Sequence, residues 1–465
     1  MIVLPVSWLL MPTRQRWKLF ILAASYFFYG YWDWRFCLLI AGATVANQVL
    51  ATAVFRAENE RTKRAWLIAA VAGNLGMLAY FKYYGFFVSS ATNTLNQLGI
   101  DFSPTIINVA LPVGISFFTF QALSYVIDTY RGTFTPGRLI DFAVFLSFFP
   151  HVIAGPIVRP AEFMPQINAA HDPRRVDASR ALFLITIGLF KKVVIANILA
   201  TQIVDPVFSS PQQHSGLEVL VGIYAYAIQI YADFSGYTDI AIGTALLLGF
   251  RFPQNFDNPY TATSIQDFWR RWHMTLSRWL RDYLYIPLGG NQRGKWSTYR
   301  NLMLTMVLGG LWHGAAWTFV IWGAIHGSFL CGEHFRRTRR ETKGLPDPVD
   351  TRNRRIVSRL ITFNVVCVAW VFFRAESLEN AGNIFSQLLT PAHWFDASPL
   401  VGGMVLFAIA AGLAEQYIPR DAWARAMARF SHLTPLVQGT VLGVCLLIIN
   451  TLGPRGVAPF IYFQF

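Results

Sequence analysis

The chain has 465 residues, 54% of them hydrophobic and only 14% charged, a balance that fits one polytopic membrane body and excludes a string of soluble domains. Its 39 Lys and Arg against 25 Asp and Glu give a net charge of +14. The basic residues stand between apolar runs, as topology signals do, and not on one soluble face, which argues against nucleic-acid binding.

The opening MIVLPVSWLLMPTRQRW has no basic n-region and no A-x-A site, so it does not read as a cleaved signal peptide. Its apolar part is too short to span and reads as the tail of a helix. At about 1.5 Å rise per residue, a hydrocarbon core of about 30 Å needs roughly 20 apolar residues. Runs of that kind predict crossings near 18–36, 37–55, 65–88, 105–130, 181–203, 218–249, 356–373, 399–418 and 434–453. Arg14, Arg16 and Lys18 come first and 56–64 is also basic, whereas 89–104 contains no Lys or Arg. The positive-inside rule puts the first two in the cytoplasm and the third outside. By the same rule 131–138 is inside, 204–217 is outside, and 251–300 and the basic loop 336–359 are inside.

This parity leaves two apolar stretches, 139–158 and 301–335, with basic residues at both ends. Each is expected to enter and return on the same side. Two full crossings within 301–335 would need about 40 residues plus a turn, so a pair of short or tilted helices is expected, bent near Gly309-Gly310 or His313-Gly314. Irregular backbone at that depth is tolerated only where protein or a water-filled cavity surrounds it. His313, in GGLWHGAAW, is therefore expected at a wet pocket inside the bilayer.

Segment 264–283, SIQDFWRRWHMTLSRWLRDY, has the clearest helical period. Phe268, Trp269, Trp272, Leu276, Trp279, Leu280 and Tyr283 fall in one sector, with Arg270, Arg271, Arg278, Arg281 and Asp282 opposite. It predicts one amphipathic helix in the interface plane, started by Ser264 and Asp267 as a capping-box variant and ended by Pro287 to Gly290. His273 sits at the border of the apolar sector, either as an interfacial histidine making one backbone hydrogen bond or as a working group. The arginines anchor the interface, or form a rim for a phosphorylated donor.

Ionisable side chains within spans are costly and mark function unless they are paired. Asp233 and Asp239 in YADFSGYTDIAIG are expected to pair with arginines. His151 lies among Pro150, Pro156 and Pro160 and is expected to satisfy a freed backbone group; His326 is expected to pack as a neutral ring. For His313 a helix break, flanking glycines and a parity-derived depth coincide. Its imidazole, with a reference pKa near 6.5, would be kept neutral by desolvation and could take a proton from a hydroxyl. No Ser-His-Asp or Cys-His arrangement and no GxSxG accompany it, so direct attack by an acceptor hydroxyl is simpler than a covalent intermediate. Cys37, Cys331, Cys367 and Cys445 stand singly without CxxC spacing, which predicts buried thiols and no metal site.

FFPHVIAGPIVRP, DFSGYTDIAIGTALLLGFRFPQNFDNPY, DFWRRWHMTLSRWLRDYLYIPLGGN, LGGLWHGAAWTFVIWGAIHG and the closing PFIYFQF resemble the bacterial membrane-bound O-acyltransferase family, in particular its alginate O-acetyltransferase (AlgI-like) branch, over nearly the whole chain. The resemblance implies an all-α, single-domain multi-pass protein over 1–465, with a ring of tilted helices around a thinned centre. It implies that His313 is catalytic and that His273 is the second histidine of the site. It further implies acetyl-coenzyme A or another cytosolic acyl thioester as donor, with no permanently bound cofactor. The acceptor would lie beyond the bacterial inner membrane, and the partners would be periplasmic acetyl-handling proteins (AlgJ/AlgX-like). Peptidoglycan, cellulose or teichoic acid are alternative acceptor polymers. The sequence begins later than that branch leads one to expect, so an incomplete first helix is anticipated. A transporter or proton pathway would also carry intramembrane His and Asp, but such proteins often show two similar halves, and no internal repeat is visible here.

Overall fold

The computed structural model describes residues 2–102, 104, 110–346, 348–394, 396–454 and 456. The described residues are helices and connecting turns, with no strand. Six helices are long and apolar enough to cross a membrane. They fall into two compact units, 1–181 with 241–253 and 182–240 with 254–465, a division that the hydropathy pattern does not mark.

The first unit contains α1 (Val3–Leu10), α2 (Arg14–Gly30), α3 (Arg35–Arg56), α4 (Glu60–Gln97, with one π turn), α5 (Ile115–Tyr130), α6 (Leu139–Ser147) and α7 (Pro160–Asn168). The crossing expected over 18–36 falls on α2, which starts four residues earlier, has 17 residues and is not one of the six; of the crossing expected over 105–130, residues 105–109 lie outside the described residues and the chain is helical only from Ile115. α3 and α4 are joined across their apolar faces by paired amides, Asn74 Nδ2 donating to Asn47 Oδ1 at 2.6 Å and Asn47 Nδ2 to Asn74 Oδ1 at 3.2 Å. Lys18 of α2 is buried and bridges Asp141 at 2.5 Å and Asn168 Oδ1 at 2.8 Å.

In 139–158 only α6 is helical. Its nine residues rise about 14 Å, too short to cross. The chain then turns through 148–158 inside a core of Phe145, Phe148, Phe163 and Phe252, and the buried irregular backbone is covered by protein, as it must be. His151 Nε2 lies 3.0 Å from the carbonyl oxygen of Phe145. This is the backbone-satisfying role expected of it.

The second unit holds α8 (Ala178–Ser209, with two π segments), α9 (Gly216–Leu247, its last turns belonging to the first unit), α10 (Ile265–Arg271), α11 (Met274–Leu280), α12 (Lys295–His313), α13 (Trp317–Thr342), α14 (Arg352–Arg374), α15 (Leu378–Leu389), α16 (Gly403–Glu415), α17 (Arg420–Ser431) and α18 (Pro435–Leu452). α16 is only 13 residues long where a crossing over 399–418 was expected. Leu360 and Ile361 of α14 and Leu447 of α18 stay more than half exposed, an apolar exterior suited to lipid. Of the cysteines only Cys367 is fully buried; Cys37, Cys331 and Cys445 are half-buried thiols, so burial is looser than expected. The closing PFIYFQF lies outside the described residues.

Candidate active site

The hairpin expected over 301–335 is longer than that. α12 and α13 run from Lys295 to Thr342 and rise about 28 and 39 Å, so these are not short helices; α12 begins in the polar KWSTYRN. The bend falls at His313-Gly314, one of the two places expected. The other, Gly309-Gly310, lies inside α12 as a contact surface. A Cβ on Gly310 would stand 2.2 Å from the carbonyl oxygen of Phe319, and one on Gly314 1.9 Å from the Phe319 ring. Gly310 lets α13 return against α12 at backbone distance and Gly314 makes room for the Phe319 ring, whereas Gly309 faces the Leu280 side chain of α11.

That return places His313, the last residue of α12 and 4% exposed, among three rings: Trp312 at 4.9 Å, Trp322 at 5.1 Å and Phe373 at 5.1 Å between centroids. The open wet pocket expected for it is replaced by an aromatic enclosure. Polar atoms around that enclosure still ask for an occupant. Among the described residues, Trp322 Nε1 and, on the ring next to it, His326 Nε2 are buried without a hydrogen-bond partner, and interiors normally satisfy such groups with protein, water or ligand.

Segment 264–283 is not one helix. It breaks at Trp272-His273, where His273 takes left-handed angles, φ 40° and ψ 55°, and starts α11. A non-glycine residue there is strained. Asn255 holds this turn by hydrogen bonding. Its carbonyl oxygen accepts the Met274 N–H at 2.8 Å. Its Oδ1 accepts the Thr275 N–H at 3.1 Å and the Thr275 hydroxyl at 2.8 Å, and lies 3.1 Å from His273 Nδ1. Because Oδ1 can only accept, His273 Nδ1 carries the proton and Nε2 keeps a lone pair. The ring is fully buried against Phe234, not poised at a wet border as expected. It lies outside the six apolar spans, and burial pushes its pKa down to about 3, so it is neutral at physiological pH.

The apolar sector of that segment is covered by protein. Phe268, Trp272, Leu276 and Trp279 are all buried, so the apolar face of the expected interfacial helix is a core stripe. Ser264 does cap α10, accepting the Asp267 N–H at 3.0 Å. Glu333 of α13 adds a second cap, taking the N–H groups of Ile265 at 2.6 Å and Gln266 at 3.0 Å.

The two histidines singled out in the sequence are thus brought to one indole: Trp312 lies 6.2 Å from His273 and 4.9 Å from His313. The aromatic series continues through Trp322 to His326, 4.9 Å away, and on to Trp269, 5.1 Å from His326. Sequence reading missed Asn255 and Trp269. Asn255 stands inside the quoted stretch that ends FRFPQNFDNPY, but no spacing rule links it to a residue 18 positions on.

Asp233 and Asp239 do pair, but with lysines and not with arginines. Gly188 of α8 and Gly236 of α9 let the helices touch, each Cβ position lying 2.5 or 2.7 Å from the opposite carbonyl oxygen. The π turn Phe190–Ala196 then presents Lys192 to Asp233 at 2.5 Å and Lys191 to Asp239 at 3.0 Å and Glu415 at 2.6 Å. Elsewhere in this unit a cavity of about 590 Å³ is lined by Arg281, Glu333, His334, Arg336 and Arg337. Leu330, one turn beyond His326 on α13, also lines it. Among the described residues no group of three His, Cys, Asp or Glu could hold a metal ion.

Residues 129–378 match the membrane-bound O-acyltransferase family, a span that includes His273, His313 and His326. The chain is similar to the probable alginate O-acetylase AlgI of Pseudomonas putida, 40% identical over 480 residues, covering 97% of this chain and 95% of that protein. It is similar to the peptidoglycan O-acetyltransferase of Helicobacter pylori, 39% identical over 401 residues, 80% of this chain and 73% of that one. It is more distantly similar to the teichoic acid D-alanyltransferase of Bacillus subtilis, 29% identical over 275 residues, 57% of this chain and 69% of that one.

Proposed function

The chain belongs to the membrane-bound O-acyltransferase family and is a multi-pass membrane O-acyltransferase, and on that premise we propose that it moves an acetyl group from a cytosolic acyl thioester across the bacterial inner membrane for O-acetylation of alginate. The observation that carries this reading is the meeting of His273 and His313 at Trp312 within a buried, polar-edged enclosure. The 40% identity to an alginate O-acetylase over almost the whole of both chains supports the polymer. Periplasmic acetyl-handling proteins of the AlgJ/AlgX kind would then receive or pass on the group.

His313 acts as general base. It takes the proton of an acceptor hydroxyl as that oxygen attacks the thioester carbonyl, and it returns the proton to the departing sulfur. A positioned base of this kind contributes about 10²–10⁴ in rate. His273, neutral and with its lone pair on Nε2, orients the hydroxyl by accepting from it. No protein nucleophile is needed.

The donor is acetyl-coenzyme A or another phosphate-bearing thioester, and the cavity of Arg281, Arg336 and Arg337 offers its phosphates guanidinium partners. Parity of the flanking basic loops supports a cytosolic position for this cavity. The relative named as a peptidoglycan O-acetyltransferase supports a second reading with the same chemistry and a different acceptor.

Purified protein in detergent, given labelled acetyl-coenzyme A and an acceptor oligosaccharide, tests the proposal. Transfer that depends on His313 is expected. A folded His313→Ala protein that acetylates at the normal rate would refute the assignment, and preference for a muropeptide over an oligoalginate would select the second reading.

A further inference from the structure

Two buried donors on α13 remain unused by this mechanism. Trp322 and His326 lie one turn apart, and the Trp322 ring touches both His313, at 5.1 Å, and His326, at 4.9 Å. An indole nitrogen can only donate. Trp269 Nε1–H, 3.3 Å from His326 Nδ1, therefore occupies the acceptor nitrogen of that ring and leaves the proton on Nε2. Protonation would break the bond to Trp269, and Nε2 would still be an N–H. In either state His326 Nε2 is a donor, so this nitrogen cannot serve as a base.

Among the described residues neither His326 Nε2 nor Trp322 Nε1 has a partner, although the residues are 0% and 1% exposed. A buried N–H without an acceptor is destabilising, and the neighbouring side chains Phe268, Trp269 and Phe373 are rings that present no oxygen. Two fixed N–H groups on adjoining rings, one of which touches the proposed base, are what a developing negative oxygen requires, because they need no reorganisation when charge appears.

We propose that Trp322 Nε1–H and His326 Nε2–H hold the carbonyl oxygen of the acyl thioester as it becomes an oxyanion, with Trp269 as the positioning residue that sets the His326 tautomer. This rests on the acyl-transfer reading above. The acceptor oxygen bonds to the carbonyl carbon while His313 takes its proton, and the C=O π pair moves onto the oxygen held by the two donors. Return of that pair breaks the C–S bond, and the sulfur leaves with its electrons and receives the proton from His313.

Three variants, His326→Phe, His326→Gln and Trp269→Phe, are compared with wild type in detergent, each checked for normal melting. His326→Phe is expected to lower kcat by about 10²–10³, the usual effect of removing one such donor, with the KM for acetyl-coenzyme A little changed. His326→Gln, whose amide can donate, recovers part of the loss. Trp269→Phe frees the tautomer and gives a smaller loss that vanishes in a His326→Phe background. A non-reacting ketone analogue of the thioester, with methylene in place of sulfur, supplies a readout that needs no turnover. Its carbonyl stretch falls in frequency on wild type and returns towards the solution value on His326→Phe. An unshifted carbonyl on wild type, or the same shift and the same kcat in all variants, overturns the assignment. Wild-type protein that transfers no acetyl group, yet shifts the ketone, sinks the acyl-transfer reading instead.

Discussion

Asn255→Ala is the sharpest perturbation of the site that leaves both proposed working histidines in place. The Oδ1 atom it removes accepts from His273 Nδ1 and from the N–H and hydroxyl of Thr275, and the residue is 1% exposed. The backbone carbonyl that takes the Met274 N–H survives the change, so the chain path at the helix break is retained. The Thr275 hydroxyl can rotate, but the two N–H groups lose this acceptor, and at about 1–3 kcal/mol for each buried donor the folded state loses about 2–6 kcal/mol. The left-handed conformation of His273, itself costing about 1–3 kcal/mol, loses part of what holds it. His273 is also freed to move its proton to Nε2, where the lone pair is wanted, and the rate should fall by up to about 10²–10⁴. Rates of acetyl transfer are measured for wild type, Asn255→Ala, His273→Ala and the double variant, with melting measured alongside. Because Asn255 acts through His273, its substitution should add little to the rate loss once His273 is gone. Losses that simply multiply would refute the reasoning.

Gly310→Ala and Gly314→Ala should deplete folded protein, since each Cβ meets Phe319 at 2.2 Å or less and overpacking costs about 1–3 kcal/mol or more. Gly42→Ala, with nothing within 4 Å, should be neutral or slightly stabilising; membrane-fraction abundance and melting check all three. Lys192→Met should cost about 3–5 kcal/mol by leaving Asp233 buried without its cation, and Lys192→Met with Asp233→Leu should recover most of it. The folded-state pKa of His273, about 3, lies below its ordinary value near 6.5. The stability contributed by the neutral ring is therefore present above about pH 6.5 and is lost as pH falls towards 3. Melting across that window should decline less steeply in His273→Gln.

Much of the membrane architecture was readable because apolar length is a local property. The spans at α3, α4, α8, α9, α14 and α18 follow from it directly. The bend at His313 was readable for a related reason: glycine is what close return of two helices demands, and it stands in the sequence beside the histidine. The break at His273 was not, because the apolar period of 264–283 continues through Trp272 and no glycine marks the left-handed residue. What makes that backbone stable is Asn255, distant in sequence and recognisable only when its oxygen is seen among three donors. Asp239 was expected to meet an arginine and met Lys191 because the partner is chosen by the backbone contact of Gly188 and Gly236, a long-range register that no periodicity encodes.

The fixed tautomers also bear on whether this enclosure could conduct protons. A relay through imidazole needs a ring that accepts at one nitrogen while it donates at the other, so both nitrogens must be able to exchange roles. His273 is held as a donor at Nδ1 by Asn255, and His326 as an acceptor at Nδ1 by Trp269. Each has one nitrogen committed to a partner that cannot reverse, since an amide oxygen does not donate and an indole does not accept. Passing a proton through either ring would mean breaking that bond on every cycle. What the pair can do without breaking anything is present a lone pair at His273 and an N–H at His326, an acceptor and a donor each one tryptophan ring removed from His313. A hydroxyl and a carbonyl need that polarity, and a train of water molecules does not.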